Sequence, residues 1–169
     1  MYRKDLSAID CSIARSLDIV GEWWSLMIVR ECTLGTTRFD VFQRRLGIAR
    51  NVLTNRLNHL VEHGILSKQP LEGERFFEYR LTPKGEALYP ILVALMQWGD
   101  QWAGSEPGGG PIQMVDKRSG RPIEWMGPRA AEGPVLGYRD IRLEPTACTS
   151  DRTREVIEQR NHDVLREDR

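Results

Sequence analysis

Cysteine is scarce in this 169-residue chain, and Cys11, Cys32 and Cys148 lie far apart with no C-x-x-C pair among them. An odd count at such spacing provides neither a disulfide framework nor a thiolate metal knuckle, so free thiols are expected. Long apolar runs are also missing. No stretch approaches the roughly 20 residues that cross a bilayer, and the opening MYRKDLSAIDCS lacks the apolar segment of a secretory signal. The expected setting is therefore cytoplasmic, with no membrane partner. No P-loop, G-x-S-x-G or dinucleotide-binding glycine pattern occurs, so neither an enzyme nor a bound cofactor is indicated. An excess of one charge is absent too: 24 basic residues balance 24 acidic ones. That excludes a generally basic coat but not a local patch.

Such a patch is present. Between Thr36 and Arg56 stand Arg38, Arg44, Arg45, Arg50 and Arg56 against the lone acid Asp40. The same region reads as a succession of helices. Asp10 is placed to cap a first helix through CSIARSLDIVG, with Ile13, Leu17 and Val20 at helical spacing and Gly21 at its end. EWWSLMIVRECTLG follows as a core helix, and TRFDVFQRRLG turns Phe39, Phe42 and Leu46 inward before stopping at Gly47. The turn GIA leads into RNVLTNRLNHLVEHGIL, a helix over about residues 49–63. Helix, short Gly-containing turn, helix is the layout of a helix-turn-helix, whose second helix can enter a major groove.

After Gly64, ILSKQP and FFEYRLT read as two strands of a wing over about residues 65–82, joined by the charged turn LEGER with Arg75 in it. Thr82 then caps a long helix that starts at Pro83 and runs to about Ala103, bent at Pro90. The fold class is thus mainly α with a small β wing: a winged helix-turn-helix domain over residues 1–103. GSEPGGGP gives a linker at 104–111, and residues 112–169 form a small mixed α/β extension of unknown role. In the extension, a hairpin around Ser119-Gly120, a strand at DIRLEP and a terminal helix at SDRTREVIEQRN are predicted.

The fourth helix carries the chemistry. At about 100° per residue, Leu53, Leu57 and Leu60 share one side and Asn51, Thr54, Asn55 and Asn58 the other. Solvated faces usually take stronger helix formers than Asn and Thr, which compete for backbone hydrogen bonds. In a major groove, however, Asn bonds adenine through N6 and N7, and Thr offers a methyl to thymine or a hydroxyl to a base edge. Arg38, Arg44, Arg45 and Arg50 suit phosphates, which supply affinity and register rather than sequence information. Arg56 lies near the leucine face, where its stem is better placed on the core than on nucleic acid. A non-DNA protein-interaction module using the same basic helical surface is the alternative reading.

Three segments, CSIARSLDIVGEWWSLMIVREC, RFDVFQRRLGIARNVLTNRLNHLVEHGIL and YRLTPKGEALYPILVALMQWGDQW, resemble in order the HxlR family of bacterial winged-helix transcriptional regulators, which are related to the MarR family. The resemblance spans about residues 6–103. It implies a sequence-specific regulator of transcription, repressor or activator, that binds a pseudo-palindromic double-stranded DNA operator as a homodimer built from the first and last helices of the domain. Members often place Lys or Arg before the Trp of the second helix, where this chain has Trp23, so no basic contact carries over there. The extension lies outside the resemblance.

Three further features admit functional readings. Trp98 and Trp102 follow Leu88, Ile91 and Leu95 on a broad apolar face; with Ile13 and Leu17 they are assigned to the dimer interface, or alternatively they wall a pocket for a small-molecule effector. His59, Glu62 and His63 fit H-x-x-E-H, an arrangement of some zinc proteases, but no third ligand stands in a convincing context and no metal is expected. Cys11 opens the first helix, whose dipole favours a thiolate while Asp10 opposes it. Its position matches a cysteine of many HxlR-family proteins, some of which sense oxidants or electrophiles through it, and this makes Cys11 the candidate redox sensor; a small buried thiol is the plain alternative.

Overall fold

A computed structural model describes residues 9–71, 76–103 and 110–167, with side chains through residue 162. Helices α1 (Ser12–Val20), α2 (Trp23–Thr33), α3 (Phe39–Leu46) and α4 (Arg50–Glu62) precede a two-stranded wing of β1 (Leu66–Pro70) and β2 (Phe77–Leu81). Helices α5 (Pro83–Glu86) and α6 (Tyr89–Trp102) follow, and α7 (Asp151–Glu167) lies in the extension. The Gly/Pro-rich linker predicted at 104–111 falls mostly outside the described residues.

Apolar side chains from α1 to α4, both strands of the wing and α6 meet in one core. Ile28 and Val29 of α2, Phe42 of α3, and Leu53, Leu57 and Leu60 of α4 are fully buried, joined by Leu66 and Tyr79 of the wing. Burial of each such side chain is worth about 1.5–3 kcal/mol. The helix-turn-helix bend depends on Gly47, which closes α3 at φ 62°, a left-handed conformation that costs glycine least.

The strands pair antiparallel, with Leu66 opposite Leu81, Lys68 opposite Tyr79 and Pro70 opposite Phe77. A third segment supports the wing: Tyr79 N–H donates to Thr37 O at 2.8 Å, and Arg38 bridges to Glu78. The wing is therefore tied to the entrance of α3, which fixes its position relative to α4.

Several predicted details differ in the structure. Asp10 does not cap α1. Cys11 occupies the N-cap position without a side-chain bond, while Asp10 accepts from Ser150 N–H and the Thr153 hydroxyl in the extension. The buried positions of α1 are Ala14 and Val20, and Ile13 and Leu17 face outward. The long helix is broken rather than bent: Thr82 caps only α5, accepting from Gly85 N–H at 3.1 Å, and α6 restarts with Pro90 in its first turn. Proline has no N–H to return to Glu86, a loss that is harmless at a helix start and costly inside one. Gly85 is needed where α5 meets β1, because a Cβ there would lie 2.2 Å from Ile65 O.

In the extension, the turn at Ser119-Gly120 forms between bridged residues Val115 and Pro122, and the terminal helix forms as α7. The DIRLEP strand does not: residues 141–145 are irregular. Their backbone is held by α7 instead, with Asn161 accepting from Leu143 N–H at 3.0 Å and donating to Leu143 O at 2.6 Å. Arg160 donates to Tyr138 O and Ile141 O. The extension docks on α6 through Gln97, whose amide donates to Glu124 O at 3.0 Å and accepts from Met126 N–H at 2.7 Å.

Candidate nucleic-acid interface

Helix α4 has two faces of different chemistry. Leu53, Leu57 and Leu60 have no exposed surface, whereas Asn51, Thr54, Asn55 and Asn58 are all exposed. The buried leucines lock the rotation of the helix about its axis, and that rotation presents the polar row as a unit. The Thr54 hydroxyl donates to Arg50 O at 2.8 Å, leaving its methyl and its oxygen lone pairs for an outside partner.

The flanking arginines separate into distinct environments. Arg44 is exposed on α3. The Arg50 guanidinium lies 5.3 Å from the centre of the Phe39 ring, and that of Arg38 lies 5.3 Å from the Phe76 ring while pairing with Asp40 at 3.4 Å. Stacking of this kind pre-orients a guanidinium and reduces the rotamer freedom lost when it binds an anion. Arg45 is engaged within the protein: it donates to Glu31 at 3.2 Å and to the Thr36 hydroxyl at 2.8 Å. Glu31 is almost fully buried, so Arg45 and Thr36 serve to compensate its carboxylate. Arg56 is largely covered and lies 3.9 Å from Glu22, in accord with its reading as a core-side residue. Arg75 lies outside the described residues.

Sequence reasoning overlooked Lys68, an exposed residue on the same face of the wing as Leu66, whose ammonium lies 4.3 Å from the Phe77 ring. The signal was there to be used: with alternate side chains on opposite faces, a lysine two residues after buried Leu66 stands beside the aromatic residues across the strand. The Glu31–Thr36–Arg45 cluster was also missed, because no spacing rule links residues that meet only through the packing of α2 on α3.

Away from this face, Ile13, Leu17, Leu95, Trp98 and Trp102 are all exposed, Ile13 at 70% and Trp102 at 67%. The thiols differ in setting. Burial, reinforced by the neighbouring Glu31 charge, pushes Cys32 up to about 12; Cys148 is exposed and Cys11 half-buried. The rings of His59 and His63 lie side by side at the end of α4, tilted by 41° with their centres 4.2 Å apart.

A helix whose buried leucines present a polar row, preceded by a tight αL turn and flanked by an antiparallel β-ribbon, defines a winged helix-turn-helix protein. Comparison with known sequences makes the assignment specific. The chain belongs to the HxlR-like helix-turn-helix family, whose model matches residues 19–107. It is 43% identical over 104 residues to the uncharacterised HTH-type transcriptional regulator Rv3095 of Mycobacterium tuberculosis, a match covering 61% of this chain and 65% of the relative. The chain thus spans just under two thirds of that relative's length.

Among solved structures it is similar to PA1607, described as a candidate transcription factor, at 40% identity and a TM-score of 0.77, covering 85% of this chain and 100% of PA1607. That likeness extends well beyond the winged segment. The redox regulator HypR, solved in its reduced form, matches at 28% identity and a TM-score of 0.51, over 54% of this chain and 92% of HypR. Among the described residues no helix is long and apolar enough to cross a membrane.

Proposed function

We infer that the chain is a cytoplasmic, non-enzymatic regulator of transcription that binds duplex DNA as a homodimer, laying α4 in the major groove and the wing alongside. The observation that carries this reading is the exposed row of Asn51, Thr54, Asn55 and Asn58 backed by fully buried leucines. In this geometry the amides read base edges, while Arg38, Arg44 and Arg50 hold the phosphates on either side. Lys68 adds a wing contact. Arg45 contributes mainly by compensating Glu31, which holds α2 and α3 in register beneath the recognition helix.

The exposed apolar residues of α1 and α6 support the dimer. Leu95, Trp98 and Trp102 on α6, with Ile13 and Leu17 on α1, present apolar surface that a monomer leaves in water. A two-fold axis along these helices places two copies of α4 on one side of the dimer, which requires a pseudo-palindromic operator. Footprinting on the DNA upstream of the chain's own gene tests the reading: two protected half-sites about one helical turn apart are expected. Protection that follows no sequence, or none at all, favours a protein-interaction module.

Modulation of binding has two candidate sites, the apolar α1/α6 face for a small-molecule effector and Cys11 for an oxidant. Cys11 sits at the first turn of α1, beside the residues assigned to the dimer, so its oxidation is positioned to alter dimer geometry. HypR, a redox regulator by its description, supports a thiol switch of this kind, and the raised Cys32 thiol leaves Cys11 as the better candidate.

A further inference from the structure

At the C-terminal end of α4, the side chains of His59, Glu62 and His63 each bring a ligand atom within 4.8 Å of the others. The two histidines are already oriented. The ring Nε2 of His59 lies 2.9 Å from Ile19 O, and the ring Nδ1 of His63 lies 2.9 Å from His59 O. A carbonyl oxygen only accepts, so each of these nitrogens carries the proton, and the lone pair falls on Nδ1 of His59 and Nε2 of His63. A backbone carbonyl that holds the N–H of one ring nitrogen, fixing the tautomer and raising the basicity of the other, is the usual outer support of a metal-binding histidine.

We propose that His59, His63 and Glu62 form a binding site for a zinc-class divalent cation. Two imidazoles select zinc and similar borderline metals over magnesium or calcium, which require oxygen ligands. Ligand atoms about a tetrahedral zinc stand roughly 3.3 Å apart. Rotation of the exposed Glu62 side chain and small ring movements close the remaining gap. Water fills the fourth position. The carbonyl end of a helix carries partial negative charge, so a cation is favoured at this place. Lys84, whose ammonium donates to His63 O at 2.8 Å, opposes it in part. The site is regulatory in position: it joins the last turn of α4 to Ile19 O in α1, so an ion there stiffens the junction between the DNA-facing helix and the helix assigned to the dimer. Metal binding itself does not depend on the DNA reading.

The test is a competition titration of the full chain, stripped of metal, against a chromogenic zinc chelator, with Mg2+ as the control ion. One equivalent of zinc per chain is expected and no response to Mg2+. His63→Ala should weaken binding at least about 100-fold, beyond the 10–100-fold typical of losing an outer-shell partner, whereas His162→Ala, which alters the one remaining histidine, should change nothing. Glu62→Gln alters an exposed residue that the core does not use and should weaken binding about tenfold; it decides the matter if His63→Ala does not fold. Zinc binding absent from the wild-type chain, or undiminished in both His63→Ala and Glu62→Gln, overturns the site.

Discussion

Asn55 and Arg44 are both exposed and lie on adjoining helices, yet in the proposed binding mode their tasks are opposite. An amide that bonds a base edge discriminates between bases, so Asn55→Ala should cost roughly 1–3 kcal/mol on the preferred operator and little on a scrambled duplex. Arg44→Ala should weaken both duplexes alike, since every sequence offers the same phosphates. Fluorescence anisotropy on the two duplexes separates them, and equal losses for Asn55→Ala would place that amide on the backbone. Thiol chemistry also differs residue by residue. With Cys32 partly buried and pushed up to about 12, it should alkylate last at pH 8, and exposed Cys148 should precede it. Peptide mapping after timed alkylation reads the order; early labelling of Cys32 would mean that α2 opens in solution.

Among the elements, α2, α3 and α4 form a unit whose hidden joint is Glu31. Its carboxylate, almost fully buried, accepts from Thr36 and Arg45. Glu31→Gln keeps the shape but removes the charge that Arg45 compensates. Because the Arg45 side chain is half exposed, the expected loss is about 1–2 kcal/mol rather than that of a wholly buried pair. Urea unfolding measures it, and an unchanged midpoint would show that Arg45 is satisfied by water alone. This joint was not legible in the sequence, whereas the α4 faces were: helical periodicity is local, but the meeting of residues 31 and 45 is a product of packing. Pro90 shows a similar limit. Its missing N–H was evident, but whether a chain bends there or starts a new helix depends on the neighbours that hold each half. The run at DIRLEP likewise had a strand's composition and no partner strand; Asn161, from a helix 18 residues later, takes the backbone bonds instead.

At the scale of the whole molecule, the winged segment leaves apolar surface on α1 and α6 that the extension only partly addresses, holding α6 through Gln97 and the start of α1 through Asp10. Trp98, 55% exposed, lies on that surface. Trp98→Ala should shift the proposed dimer toward monomer, since loss of a buried aromatic at an interface centre typically costs 2 kcal/mol or more, about thirtyfold in dissociation constant. Sedimentation velocity across micromolar concentrations checks this; an unchanged dimer would move the interface elsewhere. The proposed two-fold arrangement also sets an expectation for the energetics of DNA binding. With Arg38, Arg44 and Arg50 of two protomers on phosphates, about six contacts would release counterions. The measurement that bears most directly on the account is operator affinity between 50 and 200 mM salt, taken in parallel on a scrambled duplex of equal length. Affinity for the operator should fall roughly 1,000-fold over that range while remaining well above that for the scrambled duplex throughout. Affinity that barely responds to salt, or that is the same for both duplexes, would contradict a dimer reading DNA through α4.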